Sequence, residues 1–379
     1  MDKAQGQEPM RILYINGGLM HRNGTEAFMM NYYRHFDRSR LQIDFVVHGD
    51  GEGEYDDEIR LLGGEIFHVP VKSRHPFAYA PALRQIFARG YSVVHTHTDA
   101  MGAWILKIAK ECGVPVRIAH SHNTSHATKN PLKYALNEYA RKNIAKYATH
   151  CFACSQKAGE WLFGEHPFTV IRNAIDLKKF SFRPSVREEV RAELGLNASD
   201  FVIGHVGRFA LQKNHVFLLE AFRAYAAEDK RAKLLLVGDG ELQGEMRERA
   251  ADYGLSDRVL FSGVRADMDR LYNAMDVFVL PSLFEGLPVV GLEAQANGLE
   301  AFFSENVSRE TGIAQEGVRF LPLKTETWVQ ALRGVSSVRR DNAPALRAAG
   351  YDIETESARL QDFYLQSKTA GRSETENII

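Results

Sequence analysis

Residues 201–208 read FVIGHVGR, an apolar, β-branched run that ends in glycine and a cation, and FALQKNH follows before a helical stretch. A short strand closed by a glycine turn and followed by a helix belongs to a parallel sheet covered by helices. AKLLLVGDG (232–240), RVLFSGV (258–264) and DVFVLPS (276–282) repeat the pattern. Toward the N-terminus, an earlier series comprises RILYIN (11–16), IDFVVH (43–48), EIFHVP (65–70), SVVHTH (92–97), VRIAHS (116–121) and HCFACS (150–155). Helix candidates such as TEAFMMNYYRHF and AMGAWILKIAKEC lie between them. FTVIRNAID (168–176) reads as a last strand leading into a connector, and KKFSFRPS interrupts the pattern near residues 175–200. The expectation is two doubly wound α/β domains facing each other across a cleft, with ligands at the carboxyl ends of the strands.

Composition is consistent with this. The 379 residues are 45% hydrophobic and 25% charged, ordinary for a globular chain of two or three domains. A formal net charge of −1 gives no global attraction for nucleic acid. Three cysteines are too few for a disulfide framework. Cys151 and Cys154 form a C-x-x-C on a strand, where they point to opposite faces, so no redox pair or metal site is expected. No window approaches the roughly 18 consecutive apolar residues of a membrane span. The start, MDKAQGQEPM, lacks an apolar signal region, so a cytoplasmic protein is expected. Residues 1–9 read as a flexible tail, and the polar end SKTAGRSETENII reads as disordered over 368–379.

Several strand ends carry residues suited to chemistry. Arg208 and Lys213 follow Gly207, and a fork and a point charge beside a glycine turn suit a diphosphate. INGGLMHRNGTEAF places Gly17 and Gly18 between a strand and a helix, either as an anion loop or as a flexible turn; the G-x-G-x-x-G spacing is absent. Gly263, with Val264 after it, ends another strand where exposed backbone can meet a planar base. Asp239 in VGDGE reads as a cap for the next helix. LFEGLPVVGLEAQANG (283–298) sets Glu285 in the turn before a helix whose first turn suits Pro288, and Glu293 about two turns into it. An acid inside an apolar helix requires donors, and ribose or sugar hydroxyls are such donors.

In the first series, RIAHSHNTSH places His120, His122 and His126 at a strand end, where a histidine bonding to substrate is favoured over a metal site. HTHTD (95–99) is a similar strand end, with a loop lining the same cleft as its alternative. DDE (56–58) reads as a solvated helix start. KNPLKYALNEYARKNIAKYATH (129–150) reads as an amphipathic helix with Lys129, Lys133, Arg141, Lys142 and Lys146 against Glu138. Its alternatives are contact with anionic lipid and a solvated helix packing its apolar side in the core.

VGRFALQKN, VGDG, FSG and the E-x7-E segment EGLPVVGLE, in that order, resemble the retaining glycosyltransferases of family 4 with the GT-B fold. The resemblance spans roughly residues 10–365. NAIDLKKF looks like the family's interdomain connector, with Ala174 in place of a glycine. RIAHSHNT is similar to the version in bacterial exopolysaccharide and capsule enzymes. The resemblance implies an acceptor-side domain over 10–180 and a nucleotide-sugar domain over 181–350. It also implies a C-terminal helix, 351–367, packing back on the first domain.

By the same resemblance, Arg208 and Lys213 would bind the diphosphate of a UDP-sugar, Glu293 the ribose and Glu285 the donor sugar. The N–H groups around Gly286 and Leu287 would face the donor, Gly17 and Gly18 would lie beneath the phosphates, and the family's first-domain histidine would be His120 or His122. The cations and the helix start would stabilise departing UDP without a metal or other cofactor. An acceptor hydroxyl would attack from the face the leaving group vacates, giving retention. The acceptor would be a saccharide or a lipid-linked saccharide, and a peripheral place on the inner face of the membrane would follow only from the lipid-contact reading of 129–150. Two departures stand out: after Gly298-Leu299, where the family has a proline followed by a small apolar strand, Glu300-Ala-Phe-Phe-Ser-Glu intervenes, which leaves the local loop unassigned but spares the donor motifs. Asn23-Gly24-Thr25-Glu26 keeps one glycine of a usual pair. The rival readings are a GT-B nucleotide-sugar 2-epimerase and a two-lobed sugar-binding protein without enzymatic activity.

Overall fold

Parallel strands covered on both faces read as continuous apolar runs, and the central strands here are buried along almost their whole length. The computed structural model describes residues 8–126, 128, 130–336 and 338–370, with side chains as far as Ser367. The chain divides into two units, one running to Ala174 and resuming at Ile353, the other spanning Ile175–Asp352.

The first unit holds β1 (Met10–Asn16), β2 (Leu41–His48), β3 (Ile66–Val69), β4 (Val93–His97), β5 (Val116–Ser121), β6 (His150–Ala153) and β7 (Thr169–Val170). Their order is β3-β2-β1-β4-β5-β6-β7, every pair parallel. The second unit holds β8 (Phe201–Val206), β9 (Ala232–Val237), β10 (Val259–Gly263), β11 (Val277–Leu280), β12 (Glu300–Ser304) and β13 (Val318–Leu321). Their order is β10-β9-β8-β11-β12-β13, again parallel throughout. In each sheet the order reverses beside the first strand, and at such a switch point the strand-end loops diverge to leave a crevice.

Two expectations change. Only Thr169–Val170 of FTVIRNAID is strand, because Ile175 leaves this sheet and bridges Asp352 in the other unit. Leu177 and Phe180 then pack in the second unit's core, which moves the division from residue 180 to 174. EAFFS, which the sequence reading left unassigned as a departure from the family pattern, is β12, buried at every position. At the far end the helix Ile353–Ala370 packs in the first unit through Ile353, Leu360 and Tyr364. The expected tails fall largely on residues 1–7 and 371–379, outside the described residues.

Candidate active site

In the second unit the loops after β8 and β11 are joined by their own backbones. Leu283 N donates to Gln212 O at 2.8 Å, and Gln212 Nε2 donates to Phe284 O at 3.0 Å. Asn214, in the left-handed region at φ +56°, donates from its side chain to Pro281 O at 3.2 Å. This brings Lys213 Nζ to 2.5 Å from Glu285 Oε1, with Ser282 Oγ donating to the same oxygen at 3.1 Å. The stem of Lys213 lies across Gly207, where a Cβ would come within 3.0 Å of Lys213 Cδ and Cε. Glycine leaves the lysine stem room there without moving it.

Arg208 is exposed and pairs with Glu241 at 3.2 Å. The glycines of VGDG serve this loop: a Cβ on Gly240 would meet Phe209 O at 2.6 Å, and one on Gly238 would overlap Gly207 O. Asp239 does not cap the following helix, as had been expected; its Oδ1 accepts from Gly240 N at 2.7 Å, and Leu242 takes the cap position. Gly263 ends β10 at φ +68°, and Val264 beyond it is exposed.

The helix after β11 spans Val289–Ala296, with Pro288 as its N-cap rather than in its first turn and no side chain capping it. Its first-turn N–H groups, with the helix dipole, favour an anion. Gly286, just before it, has open space around it. Glu293 is the helix's fifth residue, about one turn in rather than two. Its Oε2 accepts from Tyr272 Oη at 2.8 Å, so a tyrosine supplies the donor that sequence reasoning left to a ligand. Burial pushes the Glu293 carboxyl up to about 7, against a smaller lowering by the Tyr272 bond.

In the first unit a cavity of about 410 Å3 lies at the ends of β1 and β4, bordered by Gly17, Gly18, Glu26, His97, Asp99 and Asn123 among others. Asn16 Nδ2 donates to Glu26 Oε1 at 2.9 Å beneath it. Of the two candidate histidines, His120 is 1% exposed, packed against Phe28 and Phe152, and so does not itself reach the surface. His122 is half-buried. Both belong to a group of four that sequence reasoning missed. His95 Nε2 and His120 Nδ1 are 3.1 Å apart, and His97 Nδ1 and His122 Nε2 2.9 Å. The two hydrogen-bonded pairs stack, with centroids 4.2 Å apart between His95 and His97 and between His120 and His122. The signal was present in H-T-H and H-S-H, since alternate residues of a strand share a face.

Burial pushes all four imidazoles below their usual range, His122 to about 4. The nitrogens of His95, His97 and His120 lie within 4.8 Å of one another. Asp99, at φ +45°, accepts from His122 N at 2.7 Å and from Asn123 Nδ2 at 2.6 Å, fixing the loop after β5. His126 lies instead beside Glu138, 3.3 Å away.

Elsewhere, DDE is only partly solvated: Asp56 is buried and accepts from Gly53 N at 2.9 Å, while Glu58 pairs with Arg34 at 2.6 Å. Cys151 is buried, and burial pushes its thiol up to about 12. The helix Pro131–Tyr147 buries only Ala140 and Ile144, leaving Leu132, Tyr134, Leu136 and Tyr139 exposed. Its C-terminal half thus packs in the first unit's core through Ala140 and Ile144, with Ala145 and Tyr147 against it, while the apolar residues of its N-terminal half face solvent. Lys133, Lys142 and Lys146 are exposed, Arg141 is held by Glu138, and Lys129 lies outside the described residues. No helix among the described residues is long and apolar enough to cross a membrane.

Two parallel-sheet α/β units, with cations and acids gathered at the strand ends of the second, define a two-Rossmann-domain GT-B protein. Anabaena HepE, solved in complex with UDP, has a similar fold at TM-score 0.78 and 19% identity, covering 94% of this chain and 100% of its own. The model for glycosyl transferases group 1 matches residues 186–349, and that for the glycosyl transferase 4-like domain matches 23–173. EpsF of Bacillus subtilis (strain 168) is 35% identical over 369 residues, 93% of this chain and 96% of its own. An Escherichia coli UDP-Gal:alpha-D-GlcNAc-diphosphoundecaprenol alpha-1,3-galactosyltransferase is 33% identical over 226 residues, 56% of this chain and 58% of its own. The chain belongs to the family 4 type of GT-B glycosyltransferases, in the branch that serves polysaccharide biosynthesis.

Proposed function

We propose that this glycosyltransferase transfers a hexose or N-acetylhexosamine from a UDP-sugar to a lipid-linked saccharide, with retention and without a metal, in exopolysaccharide or capsule synthesis. The observation that carries the reading is the loop pair that sets Lys213 against Glu285 beside Arg208, at the start of an uncapped helix. Departure of UDP breaks the bond from the anomeric carbon to the phosphate oxygen and leaves negative charge on the diphosphate. Arg208, Lys213 and the helix start at Val289 oppose that charge. The acceptor hydroxyl forms the new bond on the same face and gives its proton to a phosphate oxygen.

Glu293 takes the ribose hydroxyls and Glu285 those of the sugar, while the N–H groups around Gly286 and Leu287 face the donor. Gly263 and Val264 border the base. His122 takes the role of the family histidine in preference to the enclosed His120. The E. coli relative acts, by its name, on a diphosphoundecaprenol-linked sugar with UDP-Gal, and HepE has been solved with UDP-glucose. Both support the donor and acceptor classes. The exposed Leu132, Leu136 and Tyr139 beside Lys133 and Lys142 suit an anionic membrane surface, which would hold the enzyme where such an acceptor resides.

Incubation with a panel of UDP-sugars without acceptor tests the reading. Slow release of UDP and free sugar from one of them, unchanged by chelator and accompanied at first by the donor's anomer, is the expected result. Turnover that requires a divalent ion, or an inverted product, contradicts it.

A further inference from the structure

This inference rests on the nucleotide-sugar reading and concerns the choice between donor and product. Lys213 is not a free cation awaiting phosphate. Its stem is held across Gly207 and its ammonium is 2.5 Å from Glu285 Oε1. Both side chains are largely buried, at 16% and 11% exposure, so solvent screens the pair less than a surface one. Glu285 is fixed through its main chain as well, since Ser308 N donates to its carbonyl at 3.1 Å. Arg208 is likewise paired, with Glu241. Each cation thus meets a ligand with a carboxylate already beside it.

A nucleotide sugar and its nucleoside diphosphate product differ in charge at the phosphate this pair would meet. In the sugar ester both phosphates are diesters, with one negative charge each. In the free diphosphate the terminal group is a monosubstituted, anhydride-linked phosphate with a second pKa of about 6, so it carries about −1.5 to −2 at pH 7. The intact donor also offers hydroxyls to Glu285 in exchange for Lys213, whereas the product offers none. A carboxylate held a few ångströms from that phosphate therefore weighs against the product more than the donor.

We propose that Glu285, through its ion pair with Lys213, is a specificity-determining residue that disfavours the free nucleoside diphosphate relative to the nucleotide sugar and so promotes product release. The identity of the sugar does not enter the argument, so UDP and UDP-glucose serve as probes.

Calorimetric titration of the full chain and of Glu285→Gln with each probe at pH 7.5 is the test. Glu285→Gln is expected to bind UDP at least fivefold more tightly and UDP-glucose no more tightly, and at pH 5.5 the gain for UDP falls below twofold. Unchanged or weaker UDP binding by the variant overturns the inference while leaving the donor site standing. The wild-type protein gives a second reading without mutation: the ratio of the UDP to the UDP-glucose dissociation constant holds or rises from pH 5.5 to 7.5. A falling ratio means that the cations dominate, and overturns it too. Absence of UDP binding by the wild-type chain overturns the nucleotide-sugar reading, and this inference with it.

Discussion

The carboxyl ends of the two sheets handle charge in opposite ways. In the first unit four imidazoles are stacked in an aromatic core and held neutral by burial. In the second, cations and acids are paired at the surface or just below it. A leaving diphosphate needs opposing charge that is already in place, and ion-paired side chains on zipped loops provide it with little reorganisation. A neutral imidazole offers hydrogen bonds and shape instead. Under the proposed function, the difference would give the phosphate chemistry to the second unit and directional, uncharged recognition to the first.

The strongest way to break this contrast is to remove a cation from the second unit. Lys213→Met is expected to lower kcat by about 10²–10³-fold, the usual cost of losing one donor to a developing oxyanion. His122→Ala should cost only about tenfold, the worth of one good hydrogen bond. Equal losses in steady-state assays would erase the distinction.

Acid titration sharpens it. The folded-state values of His95, His97, His120 and His122 lie below the ordinary imidazole value. Below about pH 6.5 the unfolded chain therefore binds more protons than the folded one. Stability from the neutral group is full above pH 6.5 and declines toward pH 4, by at most about 1.4 kcal/mol per pH unit for each histidine. The second unit buries the pair His205 and His215 in the same way. Hydrogen exchange at pH 5 should therefore show β4 and β5 opening before β8 and β11; the reverse order would contradict the account.

A smaller effect is expected at Glu293, whose raised value means the folded protein keeps its proton up to about pH 7. An ionised carboxylate accepts from ribose hydroxyls more strongly. UDP-glucose affinity should rise by about threefold as pH climbs from 6.5 to 8, the scale of a modest gain in one hydrogen bond, and stay flat in Glu293→Gln. The smallest effect belongs to Asp99→Asn. It keeps an oxygen for His122 N but loses the charge that raises His122, and kcat is expected to fall by roughly twofold. A loss as large as that of Lys213→Met would mean that charge in the first unit matters after all.

The strand ends of the site were legible because each lies in a local pattern: an apolar run, a glycine, then a helix. Arg208, Lys213, Glu285 and Glu293 could be placed from such patterns together with the family resemblance. The pairing of Lys213 with Glu285 could not, since it joins two loops 72 residues apart. β12 escaped for a related reason. It opens on Glu300, an unpromising start for a buried strand, yet that carboxylate accepts from Ser336 N at 2.9 Å and lies 3.4 Å from Arg319. Partners distant in sequence let a carboxylate open a buried core strand. Likewise, H-T-H and H-S-H announce two imidazoles each on one face, but only the β4–β5 pairing brings the four together.

Hydrogen exchange of the full chain with and without saturating UDP tests the central contrast most directly. The account predicts the largest gain in protection in the second unit, over residues 207–214, 263–264 and 285–293, with smaller changes at Gly17 and Gly18. Protection concentrated at the ends of β4 and β5, with the second unit unchanged, would contradict it.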